Sequence, residues 1–317
     1  MELLICPLCE ESLQITLDHS ICKRGHQFPV IEGILDLLPD VKDSNLLDEV
    51  QHWNDVADNK GKMKLVPDEY IGNRIIEDYR KLFKECIEVA WKGNLPSRIS
   101  MADIGCGSGS AMRYMGMLQF RNVDYIGIDL SLKSMKLCLT GSDHIPKNWN
   151  VRFIKGSAET GIFKENSLDI VFSASALHHL NLFSVMEWVG KSLKPNGLLI
   201  LHEPSSKNPF AKVGRKFIRD FHTKGEKPIE PNSIRQLSRE HNLSLVYEKG
   251  LHFLTGSLQY LVGKVRAPFP LVFCVYHLAR YIDSIILSPS FNYSFIQAYI
   301  KKVDGFQSQS DDSYLKA

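Results

Sequence analysis

Residues 98–109 read R-I-S-M-A-D-I-G-C-G-S-G, a short apolar strand that runs directly into a turn with three glycines. A helix is expected to start near Ala111, so the stretch predicts a strand, a glycine turn and a helix in succession. The glycines let the main chain approach a ligand closely, and the amides at the helix N-terminus attract polar or anionic groups. The pattern therefore predicts a site for a nucleotide-like cofactor.

The sequence of the next strand restricts the class of cofactor that is expected. Residues 125–131 read Y-I-G-I-D-L-S, which is an apolar strand that ends at Asp129. An acid about 20 residues beyond a glycine turn suits the hydroxyls of a ribose. A nicotinamide-binding turn would read G-x-G-x-x-G, whereas the third glycine here comes one residue earlier. We therefore expect a cofactor that carries a ribose but no pyrophosphate.

Further strands and a helix follow in the same alternation. Residues 151–155 and 167–173 are predicted as strands, 185–193 as a helix and 198–202 as the fifth strand. The nearly continuous apolar character of 167–173 is typical of a parallel strand covered on both faces. This order predicts an α/β fold with a doubly wound sheet that binds its ligand at the carboxyl ends of the strands.

Four motifs in this order resemble the core of class I S-adenosylmethionine-dependent methyltransferases. They read D-I-G-C-G-S-G at 103–109, G-I-D-L at 127–130, G-S-A-E at 156–159 and S-L-D-I-V-F-S-A-S-A-L-H-H-L at 167–180. The resemblance covers residues 99–204 and implies a mostly parallel, seven-stranded, Rossmann-like sheet that binds S-adenosyl-L-methionine. It implies a cofactor-binding set of Asp103, Gly105, Cys106, Gly107, Gly109, Asp129, Leu130, Ser157, Ala158, Glu159, Ser173 and Ala174.

The same resemblance assigns parts of the cofactor to members of this set. Asp103 and the glycine turn would hold the methionine end, Asp129 the ribose hydroxyls and Ala158 the adenine edge. Relatives often carry Asp where this chain has Ser157, which leaves the contact to the adenine amino group open between Glu159 and a main-chain group.

The first 40 residues carry a separate pattern, C-P-L-C at 6–9 and C-K-R-G-H at 22–26. Three thiolates and an imidazole at this spacing suit a tetrahedral zinc ion. The predicted ligands are Cys6, Cys9, Cys22 and His26. His19 competes as the fourth ligand but would compress the second knuckle, while a disulfide or buried thiols are the alternatives to a metal. Because protein would fill all four positions, the zinc is expected to be structural.

This pattern resembles the zinc module that precedes the core of bacterial large-subunit ribosomal-RNA guanine methyltransferases, and the zinc-ribbon heads of uncharacterised methyltransferases. The predicted organisation is a zinc-ribbon-like module at 1–40, an acidic linker and helical segment at 41–97, and a methyltransferase domain at 98–317. A helical lid insertion is predicted at about 254–290, because that stretch is rich in Leu, Val, Phe and Tyr.

Four side chains are candidate catalytic groups, namely His178, His179, His202 and Glu203. The first two follow the fourth predicted strand and the others end the fifth. A sulfonium is already an activated leaving group, so the protein chiefly aligns the reactants and excludes water. A base is needed only for a weakly acidic oxygen or nitrogen nucleophile. The alternative is that one histidine of the pair packs or bonds the main chain and that Glu203 supports a loop.

Charge is unevenly distributed along the chain. The formal net charge is +2, with 38 basic and 36 acidic residues, and the composition of 44% hydrophobic and 23% charged residues excludes a disordered or collagen-like chain. Residues 1–60 hold 12 acidic and 4 basic side chains, whereas residues 204–228 hold 7 basic and 2 acidic ones. The basic stretch would flank the cleft and hold an anionic substrate or RNA phosphates, or would form a solvated helix face.

No secretory signal is expected in M-E-L-L-I-C at the N-terminus, so we predict a cytoplasmic location. Residues 269–287 are apolar, but Pro270, His277, Arg280 and Asp283 interrupt them. A membrane span is therefore not expected.

Three functions remain in competition at this point. The leading one is methyl transfer to an oxygen, nitrogen or carbon of a small molecule, with the apolar insertion as a lid or as an extra helical layer. The second is methylation of a base in rRNA or tRNA, with the zinc module recognising RNA, although the eight acids and two bases of residues 31–60 disfavour phosphates. The third is a non-catalytic, zinc-containing interaction protein. The sequence does not predict the oligomeric state.

Overall fold

The computed structural model describes residues 3–38, 44–58, 68–116, 118, 120–140, 145–212, 229–286 and 288–302. Its strands are β1 (Leu13–Ile15), β2 (His19–Cys22), β3 (Gln27–Ile31), β4 (Ile34–Asp36), β5 (Ile99–Ile104), β6 (Val123–Asp129), β7 (Trp149–Lys155), β8 (Leu168–Ala174), β9 (Leu193–Pro204), β10 (Leu243–Leu251) and β11 (Ser294–Lys301). Its longer helices are α1 (Ser44–Asp58), α2 (Glu69–Trp91), α3 (Ser110–Gly116), α4 (Leu132–Thr140), α5 (Leu182–Ser192), α6 (Pro231–Glu240), α7 (Thr255–Val265) and α8 (Phe269–Ile285).

The strands form one sheet in the order β1-β2-β3-β4-β7-β6-β5-β8-β9-β11-β10. Strands β7, β6, β5, β8 and β9 are parallel neighbours, and β11 runs antiparallel to both β9 and β10. The reversal of strand order on either side of β5 is that of a doubly wound sheet, and it creates a crevice at the carboxyl ends of the strands. The predicted fold class is therefore confirmed at the level of a methyltransferase-like, Rossmann-like fold.

The number of strands differs from the prediction, because the sheet has eleven strands rather than seven. Strand β4 pairs in parallel with β7, and hairpin contacts continue the sheet through β3 and β2 to β1. An ion pair between Lys155 and Asp36, 2.7 Å long, ties the first pair of these strands together. The N-terminal strands thus extend the sheet beyond β7.

Alternate side chains of the central strands pack against helices on opposite faces. On one face Met101 and Tyr125 lie in a core with side chains of α2, α3 and α4. On the other face Ala102 and Ile126 lie in a core with side chains of α5 and α6. Strands β6 and β8 are buried along nearly their whole length, as a parallel strand between two helical layers must be.

The predicted lid insertion at about 254–290 contains the helical hairpin of α7 and α8. The final strand expected at 293–303 is β11, which ends at Lys301. Of the basic stretch at 204–228, residues 213–228 lie outside the described part of the chain. Among the described residues, no helix combines the length and the apolar character that crossing a membrane requires.

Candidate active site

The glycine turn after β5 has left-handed backbone at three positions, with φ of 66° at Gly105, 49° at Gly107 and 81° at Gly109. A Cβ atom at Gly105 would lie 2.4 Å from Cβ of Ala176, and one at Gly109 would lie 2.3 Å from Sγ of Cys138. A Cβ at Gly107 would meet no atom within 4 Å. Close packing therefore requires glycine at the two outer positions, while the middle one borders open space in which a ligand fits.

Asp129 ends the neighbouring strand β6 and faces this turn. Its Oδ2 accepts a hydrogen bond of 2.8 Å from the amide of Gly107, and its Oδ1 accepts one of 2.8 Å from the amide of Ser131. Burial raises the pKa of this carboxyl. Each carboxylate oxygen has a second lone pair, so Asp129 is able to accept hydrogen bonds from two ligand hydroxyls while the protein holds it in place.

A cleft of about 150 Å³ opens above the ends of β5 and β6. Five predicted cofactor residues line it, namely Gly105, Gly107, Asp129, Leu130 and Ala158. The other seven lie outside its lining, namely Asp103, Cys106, Gly109, Ser157, Glu159, Ser173 and Ala174. Lining residues that the sequence did not single out for the cofactor are Glu49, Trp53, Ile128, Ser134, Gly156, Ser175, Ala176 and Leu180, and the predicted catalytic residue His179 joins them.

Asp103 lies beneath the turn rather than in the cleft, because only 1% of it is exposed. The hydroxyl of Tyr125 donates a hydrogen bond to its Oδ2, and its Oδ1 has no hydrogen-bond partner among the described residues. Burial raises the pKa of Asp103 to about 7. The structure therefore does not place Asp103 in the lining of the cleft, where the predicted contact to the methionine end would be made.

Helix α1 covers one side of the cleft. Trp53 lines the cleft, and its ring meets the ring of His179 edge-on with centroids 5.4 Å apart. The hydroxyl of Ser131 donates a hydrogen bond of 2.9 Å to Oδ1 of Asn54, so the cap of α4 also holds α1. The sequence predicted residues 41–97 only as an acidic linker and helical segment, although the tryptophan in this polar stretch was a signal.

Two of the predicted catalytic residues form a buried pair. Nδ1 of His178 lies 2.8 Å from Oε2 of Glu203, which is fully buried. Oε1 of Glu203 accepts hydrogen bonds from the amides of Ala176 and Leu177, at 3.1 and 2.9 Å. The carboxylate therefore ties the loop after β8, which lines the cleft, to the end of β9.

The other predicted catalytic histidine lies on the opposite face of the sheet, in a cluster that sequence reasoning missed. The ring of His202 lies 4.3 Å from the ring of Tyr79 on α2, and His252 meets the same tyrosine edge-on at 5.5 Å. Both histidines are more than nine-tenths buried, and the Nε2 atom of each has no hydrogen-bond partner in the described structure. Burial lowers the pKa of His202 to about 4 and that of His252 to about 3. We refer to Tyr79, His202 and His252 as the imidazole cluster.

The imidazole cluster adjoins the wall of the cleft. The amide of Ser175 donates a hydrogen bond of 2.7 Å to the carbonyl oxygen of His202. Ser175 lines the cleft and has a φ of 57°, an uncommon value for a residue with a side chain. Such a backbone conformation is often found where a functional site constrains the chain.

Residues 102–201, which run from β5 into β9 and contain the glycine turn and Asp129, match the family described as "Methyltransferase domain". The chain is an S-adenosylmethionine-dependent methyltransferase. The prediction of an enzyme of this class is thereby confirmed, and the non-catalytic alternative is set aside.

Curated relatives and solved structures agree with this identification. The methyltransferase is 25% identical over 192 residues to the ubiquinone biosynthesis O-methyltransferase of Pelagibacter ubique, which covers 58% of this chain and 74% of the relative. It is 28% identical over 154 residues to a phthiotriol/phenolphthiotriol dimycocerosates methyltransferase of Mycobacterium ulcerans, which covers 47% of this chain and 51% of the relative. The geranyl diphosphate C-methyltransferase of Streptomyces coelicolor, solved with S-adenosyl-L-homocysteine, shares the fold at a TM-score of 0.53 and 12% identity, over 84% of this chain and all of that one.

The N-terminal strands of the methyltransferase bring the four predicted zinc ligands together. Ligand atoms of Cys6, Cys9, Cys22 and His26 all lie within 4.8 Å of one another. Nδ1 of His26 is 3.5 Å from Sγ of Cys6 and 3.4 Å from Sγ of Cys22. The competing ligand His19 is turned away, because its Nδ1 bonds Asp18 at 2.8 Å.

A larger groove, of about 640 Å³, lies between the N-terminal strands and α5 of the methyltransferase. Among the predicted cofactor and catalytic residues, Glu159 alone contributes to its lining. The smaller cleft, where the glycine turn and Asp129 meet, is therefore the candidate donor site.

Proposed function

We propose that this methyltransferase methylates a hydroxyl group of an aromatic or lipid-like small molecule, and that the imidazole cluster receives this acceptor. The observation that supports the proposal is the pair of buried imidazoles, whose Nε2 atoms have no hydrogen-bond partner among the described residues, although Oδ2 of Asp78 lies 3.7 Å from that of His252. A buried polar atom left without a hydrogen bond costs about 1–3 kcal/mol. A ligand hydroxyl that reaches these atoms recovers this cost.

Both imidazoles are uncharged near neutral pH, because burial holds the pKa of each far below its ordinary value. A neutral imidazole nitrogen accepts a hydrogen bond from a hydroxyl, whereas an imidazolium is only a donor. The aromatic ring of Tyr79 adds an apolar wall against which an aromatic or prenyl group packs. The cluster therefore favours an uncharged, hydroxyl-bearing acceptor.

The donor site fits S-adenosyl-L-methionine. Gly107 leaves room for its methionine part, Asp129 would face its ribose, and Ala158 and Leu130 would border its adenine. When bound, the cofactor supplies a methyl group on a sulfonium, which needs no further activation. The work of the protein is then to orient the acceptor oxygen, exclude water and accept one proton.

We assign the proton-accepting role to Nε2 of His202. An imidazole with a pKa of about 4 is a weak base toward a free hydroxyl. The acceptor oxygen becomes strongly acidic as it forms its new bond to carbon, so proton transfer to His202 is downhill at that stage. Glu203 and His178 act as positioning residues, because they hold the loop at 175–179 against the cleft.

An RNA acceptor is the alternative, and the described cleft disfavours it. Glu49 lies at the cleft, and burial together with the nearby charge of Glu159 raises its pKa. Carboxylates at a cleft mouth repel a phosphate backbone. Both curated relatives described above are named for small-molecule substrates, which favours an acceptor of that class.

The test is release of S-adenosyl-L-homocysteine from the purified full chain, with an alkylated catechol or total RNA as acceptor. We expect turnover with the catechol and none with RNA. His202→Gln should lower kcat/KM about 100-fold without changing cofactor affinity. The exposed His277 provides a matched control, and His277→Gln should leave turnover unchanged. Methylation of RNA, or full activity of His202→Gln, would contradict the proposal.

We also propose that Cys6, Cys9, Cys22 and His26 hold a structural zinc ion. Zinc–sulfur bonds of about 2.3 Å give tetrahedral edges of about 3.8 Å, close to the 3.4–3.6 Å between neighbouring ligand atoms here. Thiolate ligands require a reducing compartment, which supports the proposed cytoplasmic location. Elemental analysis should find one zinc per chain and a loss of zinc in Cys9→Ser, while His19→Ala should retain the metal. Equal zinc in Cys9→Ser and the parent would exclude this site.

A further inference from the structure

The outward surface of helix α8 is predominantly apolar, although the side chain of Arg280 is 41% exposed. The exposed large apolar residues of this helix are Phe269, Leu271, Phe273, Leu278, Tyr281 and Ile285, each 43–67% exposed. The helix spans 17 residues, so the stripe is about 25 Å long. Monomeric soluble proteins rarely expose a contiguous apolar patch of this extent without a binding role.

Both charged residues of α8 are half-buried and paired with neighbouring elements. Arg280 pairs with Asp78 on α2, and Asp283 accepts hydrogen bonds from the amide of Leu254 and the hydroxyl of Thr255, at 2.7 and 2.6 Å. These contacts fix the rotation of α8 about its own axis. The apolar stripe is therefore held facing outward. It is not a core-facing surface that is exposed because the helix packs loosely.

The inner face of α8 is packed in the ordinary way. Val272 and Tyr276 are buried in a small core with Ile71 and Ile75 of α2 and Val262 of α7. The hairpin of α7 and α8 is thus anchored to α2, the helix that carries Tyr79. The stripe lies on the far side of this layer, about one helix diameter, 10 Å, from the inner contacts.

The two most exposed charges of the hairpin are positive. Within residues 255–285, all of which are described, the charged side chains are Lys264, Arg266 and the half-buried, paired Arg280 and Asp283. Lys264 and Arg266 are exposed at the turn between α7 and α8, beside Leu261 and Val265, which are 61% and 67% exposed. An apolar stripe flanked by bases and free of acids complements an anionic lipid surface.

We infer that the α7–α8 hairpin docks in the plane of an anionic lipid bilayer. The stripe would enter the boundary between headgroups and acyl chains, to a depth of about 5–10 Å. Lys264 and Arg266 would meet the lipid phosphates. Docking itself does not depend on which acceptor is methylated. Its use in catalysis rests on the proposed function, because docking would bring the imidazole cluster close to an acceptor that is dissolved in the lipid.

Cys274 offers a direct probe of this docking. It lies on α8 and is exposed, whereas the other six cysteines are buried or half-buried. A polarity-sensitive fluorophore on Cys274 of the full chain should shift to the blue and brighten with vesicles of phosphatidylcholine and phosphatidylglycerol. Co-sedimentation of the unlabelled chain gives the partition coefficient without the dye.

Matched variants distinguish vesicle binding by the stripe from a general effect of charged substitutions at the surface. Leu278→Glu with Ile285→Glu should abolish sedimentation with vesicles, whereas Leu17→Glu with Leu137→Glu, at exposed positions elsewhere, should not. Lys264→Gln with Arg266→Gln should lower the partition coefficient for anionic vesicles roughly 20-fold. Cofactor binding by calorimetry should be unchanged in all three, which shows that each variant is folded.

Failure to bind either anionic or neutral vesicles would overturn the inference. So would a stable dimer that Leu278→Glu with Ile285→Glu converts to a monomer, because a second copy would then cover the stripe. Both measurements omit the acceptor. A negative activity assay therefore leaves the docking result standing, and a negative docking result leaves the proposed acceptor chemistry standing.

Discussion

Asp129 combines two roles that a single side chain rarely carries together. Its oxygens accept hydrogen bonds from the amides of Gly107 and Ser131, and its remaining lone pairs are available to the cleft. The same carboxylate thereby shapes the glycine turn and faces the expected ribose. Replacing it should separate affinity for the cofactor from stability of the fold.

We predict that Asp129→Asn weakens binding of S-adenosyl-L-homocysteine by about 10- to 100-fold, because a hydrogen bond to a charged group contributes about 1.5–3 kcal/mol. The amide oxygen of Asn still accepts one main-chain hydrogen bond, so the fold should persist. Calorimetric titration measures the affinity. Glu77→Gln, at an exposed ion pair with Arg74 on α2, is the control and should bind normally. Unchanged affinity in Asp129→Asn would refute the ribose contact.

The individual residues that could be predicted from the sequence are those whose role follows from the local backbone conformation. Gly105 and Gly107 are recognisable because a strand, a turn and a helix must meet there, and Asp129 because it ends the next strand. His252 and Tyr79 were not predictable, since 173 positions separate them and only the packing of α2 against the end of β10 brings them together. A lone histidine in a sequence gives no sign of such a partner.

Among the helices and strands, α1 has a role at the cleft that was not predicted from the sequence. Its polar composition indicated a linker, yet it supplies Trp53 and Glu49 to the cleft lining. It is tied to α4 by the pair of Asp58 and Lys133 and by the hydrogen bond between Asn54 and Ser131. Few apolar contacts hold it, which is typical of an element that opens locally.

We predict that Trp53→Ala lowers cofactor affinity about tenfold, because an aromatic wall of the cleft is lost. Leu47→Ala, at an exposed position of the same helix, should have no effect. Calorimetry gives both affinities. Limited proteolysis near α1 should also slow when S-adenosyl-L-homocysteine is added to the parent chain and should respond less in Trp53→Ala. Equal affinities in the two variants would show that α1 does not cover the cofactor.

For the whole molecule, the buried histidines make stability depend on pH. The pKa of His202 is about 4 in the folded chain and about 6.5 in an unfolded one, so the unfolded state binds the proton first. Stability is therefore lost as pH falls from about 6.5 toward 4, by about 3 kcal/mol in total. The pKa of Asp103, raised to about 7, acts in the opposite direction, because its ionisation disfavours the fold as pH rises.

We predict that lowering the pH from 7 to 5 moves the urea midpoint of the parent chain toward lower urea relative to that of His202→Gln, because the opposing contribution of Asp103 is common to both. The glutamine has no proton to gain, so its contribution is constant over the window. His277→Gln, at an exposed site, should behave like the parent. Identical shifts in the parent and His202→Gln would show that this imidazole titrates normally.

The central part of the sheet was predictable, because strands and helices alternate along the sequence there. The edge strands that the N-terminal residues add to the sheet were not predictable. Burial on both faces made β6 and β8 recognisable as central parallel strands. Nothing local in residues 34–36 indicates that they pair with β7, more than 100 residues away. The eleven-stranded sheet therefore emerged only from the structure.

The pairing of β4 with β7 creates a thermodynamic linkage between the two ends of the sheet. The amide of Leu37 donates to the carbonyl of Lys155, and the next residue, Gly156, lines the donor cleft. If the cysteine cluster binds zinc as proposed, occupancy of the metal and affinity for the methyl donor become reciprocal quantities. Chelating the metal should weaken donor binding, and saturating donor should strengthen metal binding by an equal free energy.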